Sequence, residues 1–157
     1  GAQGRSLTLK DEANARTTAK YITVKADKSI ERLWYGMWRA NPKKTVYVVE
    51  GPLDSLFIPN TIAMVGATAI DTIPARFQHT ELVFCLDNEP RNPQIVNYNK
   101  KLIQMGHKVC IWPSSVKQKD INDMVYTMST KHIKKIIDDN TCSGLEAELR
   151  LKKWSKV

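Results

Sequence analysis

From Thr45 onward, short apolar runs alternate with stretches whose apolar residues recur every three or four positions. The runs are Thr45–Val49, Thr61–Val65, Glu81–Leu86 and Lys108–Trp112, rich in β-branched or aromatic residues and ending near Gly, Asp or Pro. Polar residues scarcely interrupt them, the pattern of strands covered on both faces in a parallel sheet. The intervening stretches predict helices. Pro93–Gln104 carries Ile95, Val96, Leu102 and Ile103, with Gly106 as a stop signal. Asp120–Met128, Lys131–Asp138 and Gly144–Trp154 predict three more, the last with an apolar stripe of Leu145, Leu149 and Trp154. Strand–helix alternation of this kind predicts an α/β fold with right-handed crossovers. Residues 1–44 are mixed and polar, with period-two stretches such as Tyr21-Ile22-Thr23-Val24. They predict a small mixed α+β subdomain, followed by a sheet domain over 45–140 and a closing helical element over 141–157.

Charge sharpens this division. The chain has 24 Lys and Arg against 16 Asp and Glu, a net of +8 over 157 residues. Residues 1–49 hold 10 basic and 4 acidic side chains, whereas residues 50–157 hold 14 and 12. A basic front half beside a nearly balanced remainder suggests a polyanion-facing surface next to a second functional region. A solvated basic face would give the same numbers. No apolar run reaches the roughly 20 residues of a membrane span, and the start Gly-Ala-Gln-Gly-Arg is polar and basic, unlike a secretion signal. The absence of an initial Met predicts a fragment or processed product. Cys85, Cys110 and Cys142 stand 25 and 32 residues apart, which excludes the close ligand pairs of a zinc site and fits a reducing, cytoplasmic setting.

The acids are where the chemistry concentrates. Val46–Val49 runs into Glu50-Gly51-Pro52-Leu53-Asp54, Leu82–Leu86 into Asp87-Asn88-Glu89, and Lys108–Trp112, after a loop, into Lys119-Asp120. Open parallel sheets bind ligands just beyond the carboxyl ends of their strands, so three strand ends offer carboxylates to one edge. Clustered like charges raise one another's pKa unless a hard cation compensates them, and Mg²⁺ or Mn²⁺ takes oxygen ligands of this type. The alternative for any single acid is helix capping, worth about 0.3–1 kcal/mol, and Asp54 and Asp120 are equally suited to it.

On these residues the chain resembles the Toprim domain shared by bacterial-type primases, type IA and type II topoisomerases and certain nucleases. Val49-Glu50-Gly51-Pro52-Leu53-Asp54 is similar to the family's Glu-Gly motif, and Leu86-Asp87-Asn88-Glu89 to its Asp-x-Asp motif with Glu89 replacing the second Asp. Gly4-Arg5-Ser6-Leu7, Lys20-Tyr21-Ile22 and Leu33-Trp34-Tyr35-Gly36-Met37 precede them in the order of elements upstream of Toprim in the RNA-polymerase domain of bacterial-type primases. Lys119-Asp120-Ile121-Asn122-Asp123 resembles a later Lys-Asp-Pro element, and Asp87-Asn88-Glu89-Pro90-Arg91-Asn92 suggests the branch of tailed bacteriophages.

The resemblance implies a primase core that synthesises short RNA primers on DNA during replication by two-metal nucleotidyl transfer. Asp87, Glu89 and Asp120 would hold two Mg²⁺ or Mn²⁺ ions. Glu50 would be either general base or another metal-linked carboxylate, and Asp54 an outlying ligand. Arg5, Lys20, Arg32 and Lys119 would meet template or nucleotide phosphates, with Lys28 an alternative to Arg32. Trp34, Tyr35 and Trp38 suit either base stacking or packing. Implied partners are a single-stranded DNA template, ribonucleoside triphosphates and a replicative helicase, with the zinc-binding domain of such enzymes absent from this fragment and no membrane involved. If the parent is a phage, the setting is host cytoplasm. The alternatives are a Toprim nuclease and a non-catalytic nucleic-acid-binding module.

Overall fold

Val46 and Val48 point to one side of a sheet and Tyr47 and Val49 to the other, and all four are buried. A strand buried on both faces needs cover on both, and the helices supply it. The computed structural model describes residues 2–5, 21–24, 33–65 and 72–157. The chain divides into two compact units, Gly1–Glu31 and Arg32–Val157. In the first, strand β1 (Ala2–Arg5) pairs antiparallel with β2 (Tyr21–Val24), placing Arg5 opposite Tyr21.

The second unit is built on six strands: β3 (Leu33–Tyr35), β4 (Val46–Val49), β5 (Thr61–Val65), β6 (Leu82–Cys85), β7 (Lys108–Cys110) and β8 (Thr141–Cys142). Their order is β3-β5-β4-β6-β7-β8, and the four central strands are parallel. These four are the strands predicted from the apolar runs. The two edge strands are antiparallel additions that those runs did not reveal. Strand β3 also moves the division of the chain to just after Glu31, ahead of the expected boundary at residue 44. Backbone pairing with β5 commits Leu33–Tyr35 to the main sheet.

Helices α1 (Pro93–Gln104) and α4 (Gly144–Trp154) cover one face with Ile95, Leu102, Ala147 and Leu151. Helices α2 (Ile121–Met124) and α3 (Thr130–Asp139) cover the other with Ile121, Met124, Ile133 and Ile137. The asparagine Asn92 caps α1 by accepting from the Gln94 N–H, and Pro93 occupies the first turn, where its missing N–H costs nothing. Helix α2 is much shorter than the predicted 120–128. The chain turns at Val125–Thr127, and Ser129 caps a new helix by accepting from the His132 N–H. All three cysteines are buried, and Cys85 and Cys110 are core residues as expected.

Helix α4 buries a different face from the predicted stripe. Ala147, Leu151 and Trp154 turn inward, whereas Leu145 and Leu149 are exposed. At about 100° per residue, Leu145 lies roughly 200° round the helix from Ala147, so the two cannot share a face. The small Ala147 is fully buried in the core that α4 shares with α1, a placement that apolar periodicity alone would not anticipate.

Candidate active site

The parallel strands β4 and β6 are neighbours in register, Val49 opposite Cys85, so their carboxyl ends carry Glu50 and Asp87 side by side. Glu50 Oε1 accepts a hydrogen bond from the Asp87 backbone N–H at 2.9 Å, tying the two strand ends together. Burial raises the Glu50 pKa, the Asp87 N–H opposes this, and the charge of Glu89 adds to it. Asp87 is pushed up to about 7, chiefly by burial and then by the charge of Glu50, with Lys119 acting in the other direction.

The Glu-Gly-x-x-Asp spacing has a steric reason. A Cβ on Gly51 would collide with Asp54 Oδ2. The side chain of Asp54 folds back over Gly51 from a short 3₁₀ turn at Asp54–Leu56, and its Oδ1 accepts from the Asn122 N–H at 2.8 Å. Asp54 therefore anchors the start of α2 to the first acidic loop. Burial raises its pKa, that N–H lowers it, and Asp120 raises it further. Arg39 secures the same loop from below through Ser55, with Nη2 donating to the carbonyl at 2.6 Å and to Oγ at 2.7 Å. Gly36, at φ +84°, makes the turn that delivers Arg39, and a side chain there would meet its guanidinium.

Lys119 stands between the two acids of the second motif. Its Nζ is 3.5 Å from Asp87 Oδ2 and 3.4 Å from Glu89 Oε1. Burial works against the Lys119 charge, but Asp87 and Glu89 outweigh it and raise its pKa. Glu89 also accepts from Asn92 Nδ2 at 3.2 Å, which links it to the start of α1. Asp120 caps α2 by accepting from the Asp123 N–H at 2.8 Å, so the capping role holds for it in this structure.

Sequence reasoning passed over Asn88, the residue between the two motif acids. Its backbone N–H donates to the Lys119 carbonyl at 2.6 Å, and its Nδ2 donates to the carbonyls of Val116 and Gln118. Its Oδ1 accepts from Trp154 Nε1 at 3.1 Å. One side chain thus clamps the 113–120 loop, and with it Lys119, to the acidic turn and to the end of α4. Nothing in the local sequence marks it, because all its partners lie at least 28 residues away.

Among the predicted aromatics, Trp34 and Tyr35 pack against the two cores. Trp38 is 69% exposed and meets Tyr35 edge-on at 5.1 Å. Of the predicted basic residues, Lys119 reaches the acids. Arg5 lies on β1 in the other unit, and Lys20, Lys28 and Arg32 fall outside the described residues.

Five carboxylates, Glu50, Asp54, Asp87, Glu89 and Asp120, thus belong to one sheet edge and the loops joined to it. Among the described residues, no three His, Cys, Asp or Glu side chains are already gathered into a cage for a single ion. Their chemistry nonetheless fits a hard cation. Every donor is oxygen, and burial together with the neighbouring charge of Glu50 raises the Asp87 pKa to about 7, a cost that a bound cation would offset. A magnesium-type ion, which keeps several waters and needs only one or two carboxylates, suits such an open set better than an ion that needs a full protein cage. No helix among the described residues is long and apolar enough to cross a membrane.

No family model matches the chain. The chain is 37% identical over 159 aligned residues to the DNA primase of Enterobacteria phage T4, an alignment that takes in 99% of this chain and 43% of the phage protein. That level of identity along the whole chain marks the two as homologues. The fold is similar to that of the Aquifex aeolicus primase in the crystal structure of its zinc-binding and RNA polymerase domains. The TM-score is 0.62 at 16% identity, covering 97% of this chain and 40% of that one. The chain therefore spans about two fifths of each of these relatives.

Proposed function

We propose that this homologue of a phage DNA primase forms the catalytic edge of a primase, joining ribonucleotides into short RNA primers on a single-stranded DNA template. The observation that carries the reading is the half-buried pair Glu50 and Asp87, bonded across adjacent strand ends, with Glu89 and Lys119 alongside.

Asp87 and Glu89 are the first candidates to hold Mg²⁺ or Mn²⁺, with Asp120 and Asp54 offering the oxygens that their caps leave free. Bound divalent ions at such a site supply positive charge to the triphosphate and to the attacking hydroxyl. Two of them would suit the reaction, and no zinc is involved in this chain. The remaining work falls to the side chains. Glu50, with its raised pKa, is suited to accept the proton of the attacking 3′-hydroxyl, because a base works best when its pKa approaches the working pH. Lys119 pairs with both acids only at 3.5 and 3.4 Å and is half-exposed, so its point charge is suited to meet a triphosphate oxygen beside them. Arg5, Lys20 and Arg32 would take phosphates of template or nucleotide. A replicative helicase and a zinc-binding domain elsewhere in the full-length protein are the expected partners, within the host cytoplasm.

The test is primer synthesis on single-stranded DNA with labelled ribonucleotides and Mg²⁺ or Mn²⁺, comparing the chain with its Asp87→Ala and Glu50→Gln variants. Short RNA products that need the metal and vanish in Asp87→Ala are the expected result. Products that persist in Asp87→Ala would overturn the site, and nicking of supercoiled DNA in place of synthesis would overturn the reaction.

A further inference from the structure

The charge of this protein is concentrated in its first 49 residues, yet the second unit carries a basic surface of its own. Two open cavities meet behind the second acidic turn. One, of about 570 Å³, is lined by Glu89 and the Pro90–Pro93 turn and reaches Lys156. The other, of about 590 Å³, runs from Asn88 and Pro90 past Trp112 and Trp154 to the 113–117 loop. Both share Pro90 and Lys156, so they form one continuous groove that begins at Glu89.

Its cations come from three separate segments: Arg91 after the acidic turn, Lys117 in the loop, and Arg150, Lys153 and Lys156 on or just after α4. Glu89 is the one acid in the lining, and it stands at the mouth. Among the described residues, Arg91, Lys117, Lys153 and Lys156 enter none of the ion pairs, and only Arg150 is neutralised, by Glu146 at 2.7 Å. The groove is also built rather than incidental. The tail of α4 is held across it by the Trp154 indole on Asn88 and by the Lys156 N–H on the Pro90 carbonyl at 2.8 Å. Asn88 thereby couples the groove floor to the carboxylates that flank it.

We propose that this groove binds the sugar-phosphate backbone of a single-stranded nucleic acid and leads it to the carboxylate edge. The inference deepens the reading as a primase core and rests on it for the identity of the strand as template. Cations strung along two adjoining cavities match the repeating charge of an extended strand. A single triphosphate would instead call for cations converging on one point. The half-buried Trp154 adds a flat apolar face of the type on which unpaired bases stack.

The experiment is fluorescence anisotropy of a labelled oligothymidylate against the whole 157-residue chain, over a range of salt concentrations. The comparison is an Arg91→Ala, Lys153→Ala, Lys156→Ala triple variant, whose thermal midpoint is measured alongside. Each lost phosphate contact removes about 0.7 from the slope of log affinity against log salt for single strands. The triple variant should therefore lose about two from the slope and bind about 100-fold more weakly near 0.1 M salt, with its midpoint unchanged. An unchanged slope and affinity would overturn the proposal. Displacement of the oligonucleotide by a nucleoside triphosphate with Mg²⁺, lost in the same variant, would overturn it in favour of a nucleotide subsite. Asp87→Ala should retain full oligonucleotide binding, and binding needs no turnover. A failure of primer synthesis is therefore distinguishable from a failure of the groove.

Discussion

Replacing Asp87 by Asn removes one negative charge from a half-buried, crowded position while keeping its shape, so the effect on stability should depend on pH in a calculable way. The Asp87 side chain is 20% exposed, and burial followed by the Glu50 charge raises its pKa from 3.8 to about 7. Below pH 3.8 the carboxyl is protonated in both folded and unfolded chains and contributes nothing. Between the two values the unfolded chain has ionised and the folded one has not, so stability falls as pH rises. Above about pH 7 the full penalty is present, roughly 4 kcal/mol at about 1.4 kcal/mol for each tenfold change in proton affinity. Asn does not titrate. Relative to wild type, Asp87→Asn should therefore gain about 2–3 kcal/mol of stability between pH 5 and pH 8. The loose, half-exposed contact with Lys119 returns less than about 1 kcal/mol of that. Urea unfolding followed by tryptophan fluorescence, with a chelator present, measures the difference directly. Adding Mg²⁺ at the higher pH should then stabilise wild type by mass action and leave the variant unmoved. A variant advantage that is equal at both pH values, or a variant less stable than wild type at pH 8, would refute the reasoning.

Three further outcomes are expected. Gly51→Ala should lower stability by about 1–3 kcal/mol, because the new methyl displaces Asp54 from the Asn122 N–H, and primer synthesis should fall with it. Denaturant unfolding and a synthesis assay on the same sample check both. Lys119→Met should raise the pKa of Asp87 still further, since Lys119 is the charge that lowers it, and carboxyl-carbon NMR titration would show the midpoint moving up. On α4, Leu151→Ala should cost about 2–5 kcal/mol, whereas Leu149→Ala should stay within about 0.5 kcal/mol, and thermal melts of the two variants would distinguish the observed buried face from the periodic one.

Much of the candidate site is legible in the sequence. Glu50 and Asp87 each follow a short, uninterrupted apolar run rich in β-branched or aromatic residues, which suits a strand covered on both faces, and the carboxyl ends of such strands share an edge if the strands are parallel. Gly51 and Asp54 carry their relation in their spacing, because the contact between them is local. Capping was equally open for Asp120, and its Oδ1 does cap α2, because the α2 N–H groups lie within its reach whatever the rest of the fold does.

Other features have no local signature. The Asn88 clamp joins residues up to 66 positions apart, and a lone Asn in a turn reads the same whether or not it holds anything. The inward face of α4 is set by the core it shares with α1, which buries the small Ala147 and leaves Leu145 and Leu149 outside. The edge strands β3 and β8 exist through their pairing with β5 and β7, since runs of two or three residues carry too little pattern to declare themselves. Charge shows the contrast most clearly. Summed along the chain, residues 50–157 are nearly neutral, yet folding brings Arg91, Lys117, Lys153 and Lys156 around one groove. Periodicity and local spacing belong to the chain and determine its strands, helix caps and motif turns. Which charges and polar groups face one another is decided by contacts between segments distant in sequence, and those exist only once the sheet has assembled.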